Sequence, residues 1–183
     1  ERSLYRFRNN NGLATANATY QINERHSITI NNVYNTFNRK GEDELFPNSE
    51  KYDQPRINHK NVLGLGYKLD YSERWNTSIF IKHFTQRNKY SIAYNPSGNW
   101  GDNAYLVQKN RFSKQGYGIA STYFILKNLQ LKGSFEKSYR LPETDELFGD
   151  LINLEGNINL DPETSYNYNL GFSYQGNISR IHR

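Results

Sequence analysis

Residues 138–174 read SYRLPETDELFGDLINLEGNINLDPETSYNYNLGFSY. From Ser165 the stretch alternates without a break, with Tyr166, Tyr168, Leu170, Phe172 and Tyr174 on one face and Asn167, Asn169, Gly171 and Ser173 on the other. A period of two belongs to a β-strand, whose successive side chains point to opposite faces; this strand has one apolar face and one wet face. Ahead of it, Tyr139 and Arg140 close an earlier strand at Leu141-Pro142. An acidic connection then runs to a second proline in Asp161-Pro162-Glu163.

The same period recurs along the chain, and helical periodicity is nearly absent. In 60–71, Leu63, Leu65, Tyr67, Leu69 and Tyr71 oppose Val62, Gly64, Gly66, Lys68 and Asp70. In 129–139, Leu129, Leu131, Gly133 and Phe135 oppose Gln130, Lys132, Ser134 and Glu136. Segments 13–22 and 26–38 follow the rule, 75–90 carries Phe80 and Phe84 on the face opposite Ile79 and Ile81, and 117–126 is apolar on both faces near its end. Tight turns at Asn23–Arg25, Ser72–Arg74, Lys127–Asn128 and Gly176–Asn177 alternate with long polar connections at 39–59, 91–112 and 140–165. Strict alternation of short and long connections is the signature of an up-and-down transmembrane barrel. A soluble sandwich places its turn signals every 8–12 residues or so.

The composition agrees. Only 36% of residues are hydrophobic while 15% are aromatic, as expected where half of every strand faces water by design. Tyr20, Tyr71, Trp75 and Tyr174 sit near the short turns, and Tyr34, Tyr139 and Tyr166 sit towards the long connections. Rings gather this way at the two boundaries of a bilayer, although cross-strand aromatic pairing in soluble sheets gives a similar pattern. The net charge of +5 is spread thinly and faces lipid phosphates or solvent; no Lys/Arg run is long enough for a nucleic-acid footprint. With no cysteine, disulfides, thiolate metal sites and cysteine nucleophiles are excluded. The lack of methionine, of a signal peptide and of a terminal aromatic strand leads us to expect a fragment or a processed piece.

Catalytic and metal chemistry find little footing. His26, His59, His83 and His182 stand on separate segments, and neither G-x-S-x-G nor H-E-x-x-H occurs. The carboxylates of 143–163 lack the spacing of a calcium loop and read as a solvated rim paired with nearby basic side chains. No cofactor, metal or enzymatic activity is expected. Trp100, on the turn-rich Asn95–Asn103 stretch, and Tyr105 offer flat rings for a ligand to stack on.

The 138–174 stretch resembles the barrel signature of TonB-dependent outer-membrane receptors, R-x-P…E-L-[FY]-G…G-N-x-x-L-x-P-E-[TS]. The matching positions are Arg140, Pro142, Glu146, Leu147, Phe148, Gly149, Gly156, Asn157, Leu160, Pro162, Glu163 and Thr164. The resemblance implies an all-β fold, an antiparallel meander of about seven strands belonging to a barrel of about 22, with short periplasmic turns and long extracellular loops. Residues 1–183 would then be part of that barrel domain, lacking the plug domain that fills the lumen in the family and the remaining strands. It further implies a Gram-negative outer-membrane location, TonB-coupled import of a scarce large ligand such as a siderophore, cobalamin or oligosaccharide, and the TonB complex, plug and membrane lipid as partners. Arg140 and Glu163 are expected to form an ion pair that ties the loop to the barrel. The competing expectation is a soluble or surface-exposed β-rich binding module, an adhesin or carbohydrate-binding domain. Face chemistry separates the two: a module buries its apolar faces between sheets, whereas a barrel leaves them uncovered.

Overall fold

A computed structural model of the chain describes residues 5–43, 55–94, 104–148 and 156–176. Seven strands run in chain order: β1 Tyr5–Asn23, β2 His26–Asp43, β3 Arg56–Ser72, β4 Trp75–Tyr94, β5 Ala104–Leu126, β6 Leu129–Arg140 and β7 Glu163–Tyr174. Among the described residues a short helix, α1 Thr144–Phe148, stands between β6 and β7. All seven strands form a single antiparallel sheet in the order β1 to β7, each paired with its neighbours in sequence.

Local chemistry sets the register. Each two-residue turn, at 24–25, 73–74 and 127–128, is flanked by a register shift, between Gln21 and Asn23, Asp70 and Ser72, and Phe124 and Leu126. Asn23 Oδ1 accepts the Arg25 amide at 2.9 Å and Ser72 Oγ accepts that of Arg74 at 3.3 Å, the side-chain-to-backbone closure that favours Asn and Ser in turns. With register fixed, the apolar residues align across strands. One row runs Ile28, Tyr67, Ile79, Ile119, Phe135 and Tyr168, and the next runs Ile30, Leu65, Ile81 and Tyr117.

These rows form a continuous apolar band that no described residue covers. Ile79 and Ile81 are 50% and 53% exposed, and Leu170 is 76% exposed. A soluble monomer rarely leaves apolar patches larger than a few hundred Å² open to water. The uncovered face decides against a sandwich-like soluble module and for a single-layer wall whose outer surface meets lipid. The buried hydrophobic cluster, Tyr90, Phe112, Leu147 and Phe148, sits on the opposite, polar face. Lys68, Lys132 and Glu136 lie on that face too, with Lys68 bonded to Asp70 at 2.9 Å and Lys82 to Glu136 at 2.7 Å.

The expected strands all form, and most are longer than their alternation suggested. β1 starts at Tyr5, β2 continues to Asp43, β4 reaches Tyr94 and β5 begins at Ala104, so the connections 39–59 and 91–112 are shorter than read. Beyond the apolar band both faces are wet, so alternation vanishes while the backbone ladder continues. The misplaced Phe80 and Phe84 lie over glycines of β5. A Cβ added at Gly116 would stand 3.1 Å from the Phe84 ring and 2.6 Å from the Lys137 carbonyl oxygen, and one at Gly118 would stand 2.7 Å from the Phe135 carbonyl. Close approach of this kind is a reason for glycine inside a strand. The turn expected at Gly176–Asn177 extends beyond the described residues.

Candidate functional site

The polar face is closed at its long-connection end by a rim formed from the β6–β7 connection. Pro142 follows β6, and its carbonyl oxygen accepts a hydrogen bond from Gln86 Nε2 at 2.9 Å. α1 was not expected in this connection, because five residues carry too little periodicity to register. Its first turn is closed by side chains: Glu146 Oε2 accepts the Glu143 amide at 2.8 Å, and the Leu147 amide donates to Glu143 O at 3.1 Å. This is the carboxylate half of a capping box, with acidic residues favourably placed at the helix start.

The helix delivers Leu147 and Phe148 onto the sheet. Leu147 is 1% exposed, and Phe148 stacks on Tyr90 with ring centroids 4.7 Å apart and planes at 15°. Phe112, Leu141 and Ile158 complete the cluster. A polar ring surrounds it: Asn58 Nδ2 donates to Asn88 Oδ1 at 2.8 Å and to Thr144 Oγ1 at 3.1 Å, and Asn110 Nδ2 donates to the Ile158 carbonyl at 3.0 Å. Buried amides must find partners or cost free energy, so these side chains fix where the connection sits.

Arg140 fastens the other end. Its guanidinium donates to Glu163 through Nε and Nη2, both at 2.9 Å, and to Glu146 through Nη1 at 3.1 Å and Nη2 at 2.9 Å. The planar fork suits two carboxylates at once. These bonds, and the Glu143 amide, hold the Glu146 carboxyl below its usual range. Asn157 donates its amide to Glu146 O at 2.9 Å, and its own carbonyl accepts the Leu160 amide at 3.2 Å. Arg56 lies 3.8 Å from Asp145 and covers the Tyr90 ring.

The structure therefore gathers Arg140, Pro142, Glu146, Leu147, Asn157 and Glu163 into one rim, with Pro162 buried and Leu160 partly exposed beside it. Gly149 and Trp100 lie outside the described residues. Tyr105 sits on β5 opposite Ala93, and its side chain is not among those described. Sequence reasoning missed Asn58, Gln86, Asn88, Tyr90 and Phe112. The only signal was two aromatic residues, Tyr90 and Phe112, on the polar face of strands otherwise wet there. No group of three or more metal-binding side chains occurs among the described residues.

A one-layer antiparallel sheet with an uncovered apolar band, two-residue turns at one end and a rim folded onto its polar face at the other is a wall segment of a transmembrane β-barrel. Residues 116–181 match the family model described as TonB dependent receptor-like, beta-barrel. Over 75 residues, 39% of this chain and 8% of the relative, the sequence is 28% identical to the probable hemoglobin and hemoglobin-haptoglobin-binding protein 4 of Haemophilus influenzae. A solved structure, a double mutant of the Serratia marcescens hemophore receptor HasR in complex with its hemophore HasA and heme, superposes with a TM-score of 0.62 at 15% identity. That superposition covers 97% of this chain and 31% of HasR, so the chain spans under a third of that receptor. Residues 116–181 are thus similar to TonB-dependent receptor β-barrel sequence, and the chain as a whole has the fold of such a receptor's barrel wall. The family whose model matches residues 116–181 is one of transport receptors.

Proposed function

We propose that this chain builds part of the barrel wall of a receptor that imports haem taken from a carrier protein, by TonB-coupled uptake. One observation carries the reading: a sequence relative and a structural neighbour, found by different routes, both bear haem-protein names. Siderophore, cobalamin and oligosaccharide have no comparable support. Within this reading, residues 1–183 belong to a barrel completed by further strands, with a plug domain against the polar face and the TonB complex supplying energy. The open edges favour it: among the described residues β1 and β7 each pair on one side only, and in lipid an unpaired strand edge is costly.

The wall supplies walls and rim rather than haem ligands. His26, His59 and His83 all lie on the lipid-side face, in register with Leu69, Thr36 and Leu63. Cargo contact falls to the connections, where Trp100 and Tyr105 are the proposed stacking residues, and Arg140, Glu146 and Glu163 are proposed to hold the rim in place. The test is growth of an iron-starved strain whose only large-ligand receptor is the full-length protein. Growth on haemoglobin, weakened by Trp100→Ala, is expected; growth on a ferric siderophore but not on haemoglobin would overturn the reading.

A further inference from the structure

Two arginines face each other at the long-connection end of the polar face. Arg39 on β2 is directly opposite Arg56 on β3, and Arg56 is in turn opposite Tyr90 on β4. Like charges facing each other across a strand pair are destabilising. A third cation, Lys60, stands on the same face of β3 four residues along, about 13 Å down the strand. Each guanidinium is mounted on a ring. Arg39 lies over Phe7 at 3.8 Å from the ring centre; Arg56 lies over Tyr90 at 4.5 Å and donates to its hydroxyl through Nη2. Stacking of this kind fixes the plane of a guanidinium and leaves N–H groups on its edge available.

Counter-charge is scarce. Among the described residues, Asp145 of α1 is the only carboxylate that pairs with either guanidinium, at 3.8 Å from Arg56 Nη1 and with a side chain 66% exposed. That separation is beyond hydrogen-bond length. The neighbouring Glu146 is taken up by Arg140. Arg39 and Lys60 make no hydrogen bond or ion pair with any described residue. Two ring-mounted guanidiniums sharing one loose counter-ion form a seat for a carboxylate, which such forks bind at about 2.7–2.9 Å.

The loose counter-ion belongs to the rim. Tyr90, which carries Arg56, is also the ring on which Phe148 stacks, so the arginine pair adjoins the seat of α1. A carboxylate held between Arg39 and Arg56 would make shorter bonds to Arg56 than Asp145 does, and its charge would repel Asp145. Phe7 and Phe37 lie on the same face beside Arg39, and their rings suit a flat apolar body next to the acid group.

We propose that the Arg39–Arg56 pair binds a small organic carboxylate with a flat apolar body, and that the bound group takes Arg56 from Asp145 and loosens α1. The rim thus carries its own resident competitor for the site. The inference rests on the polar face being the barrel lumen and is independent of the cargo.

The test uses full-length protein in detergent at constant ionic strength, titrated with trimesate, a benzene ring bearing three carboxylates, and separately with its trimethyl ester. Native-state hydrogen exchange is read at the Leu147 and Asn157 amides, both bonded within the rim. Trimesate should accelerate both by up to about fivefold, the worth of one exposed ion pair, and the ester should leave them unchanged. Arg39→Gln should abolish the response and Arg39→Lys should keep part of it, while Lys132→Gln elsewhere on the polar face leaves it intact. Asp145→Asn should speed exchange without ligand by a similar factor and remove the response. Calorimetry should show that variant binding trimesate more tightly than the parent, because the competing carboxylate is gone. Equal effects of acid and ester, a full response in Arg39→Gln, or exchange unchanged or slowed by trimesate would overturn the proposal. Haem uptake plays no part in this readout, so failure here leaves the cargo reading untouched, and the reverse.

Discussion

Replacing Phe148 by alanine should release α1 from the sheet while leaving the barrel folded. Phe148 is 5% exposed and stacked on Tyr90. Losing its burial removes about 2–3 kcal/mol, and losing the aromatic pair about 1 kcal/mol more. Because α1 lies on one layer of sheet and no described residue packs over the lipid side, the cost falls on the docking equilibrium of the rim and not on the strands. A loss of about 3 kcal/mol raises the undocked population roughly a hundredfold. Two amides report it: Leu147 N, bonded to Glu143 O, and Asn157 N, bonded to Glu146 O. Native-state hydrogen exchange on full-length protein should show both accelerating by about that factor, with amides of β3 and β4 unchanged. Phe172→Ala on the lipid side should leave the two amides as they were. Unchanged exchange in Phe148→Ala, or amides already unprotected in the parent, would refute the reasoning.

Acidification should open the same rim. The Glu146 carboxyl titrates below its ordinary value of 4.5, so its contribution is fully present above that value and is lost as pH falls through the lowered one; protection of the Asn157 amide should hold from pH 7 to about pH 5 and fall only at more acid pH, as the carboxyl takes up its proton, and Glu146→Gln should flatten that profile. Arg140→Glu and Glu163→Arg should each loosen the rim, and the two together should restore protection only in part, because Glu146 is left facing a like charge; a cycle with no restoration would remove the ion pair from the account. Ile81→Arg should cost about 2–4 kcal/mol in a bilayer, against about 0–1 for Thr85→Arg near the interface, read from urea unfolding of the reconstituted protein. Gly118→Val should cost about 1–3 kcal/mol by overpacking against the Phe80 ring, read by the same unfolding.

What was legible in the sequence followed the membrane. Between Leu63 and Tyr71, or Tyr166 and Tyr174, lipid on one side and water on the other force a period of two, so strand identity, face and register are written in residue type. Past the band, at Asn9–Asn11 or Arg87–Lys89, both sides are wet and residue type no longer marks the pleat; the ladder continues on backbone hydrogen bonds that any sequence can make. The rim was readable as a motif but not as a shape. Pro142 and Glu146 advertise a turn and a cap, whereas the seat that receives Leu147 and Phe148 is assembled from Asn58, Gln86, Tyr90 and Phe112, residues far away in sequence and brought together only by register. The arginine pair was hidden for the same reason: Arg39 and Arg56 are 17 positions apart, and only pairing sets them face to face.

The uneven length of the strands has a further consequence. Past Ile81 and Tyr117, β4 and β5 continue through Lys82–Tyr94 and Ala104–Gly116, about 43 Å along the strand and about 33 Å along the membrane normal at the usual barrel tilt. β6, by contrast, ends three residues after Lys137. The wall is thus a tall hairpin mast beside a low sill. On the proposed import of a ligand from a carrier protein, a bulky carrier would meet the top of the mast first, and the small molecule it gives up would cross the sill.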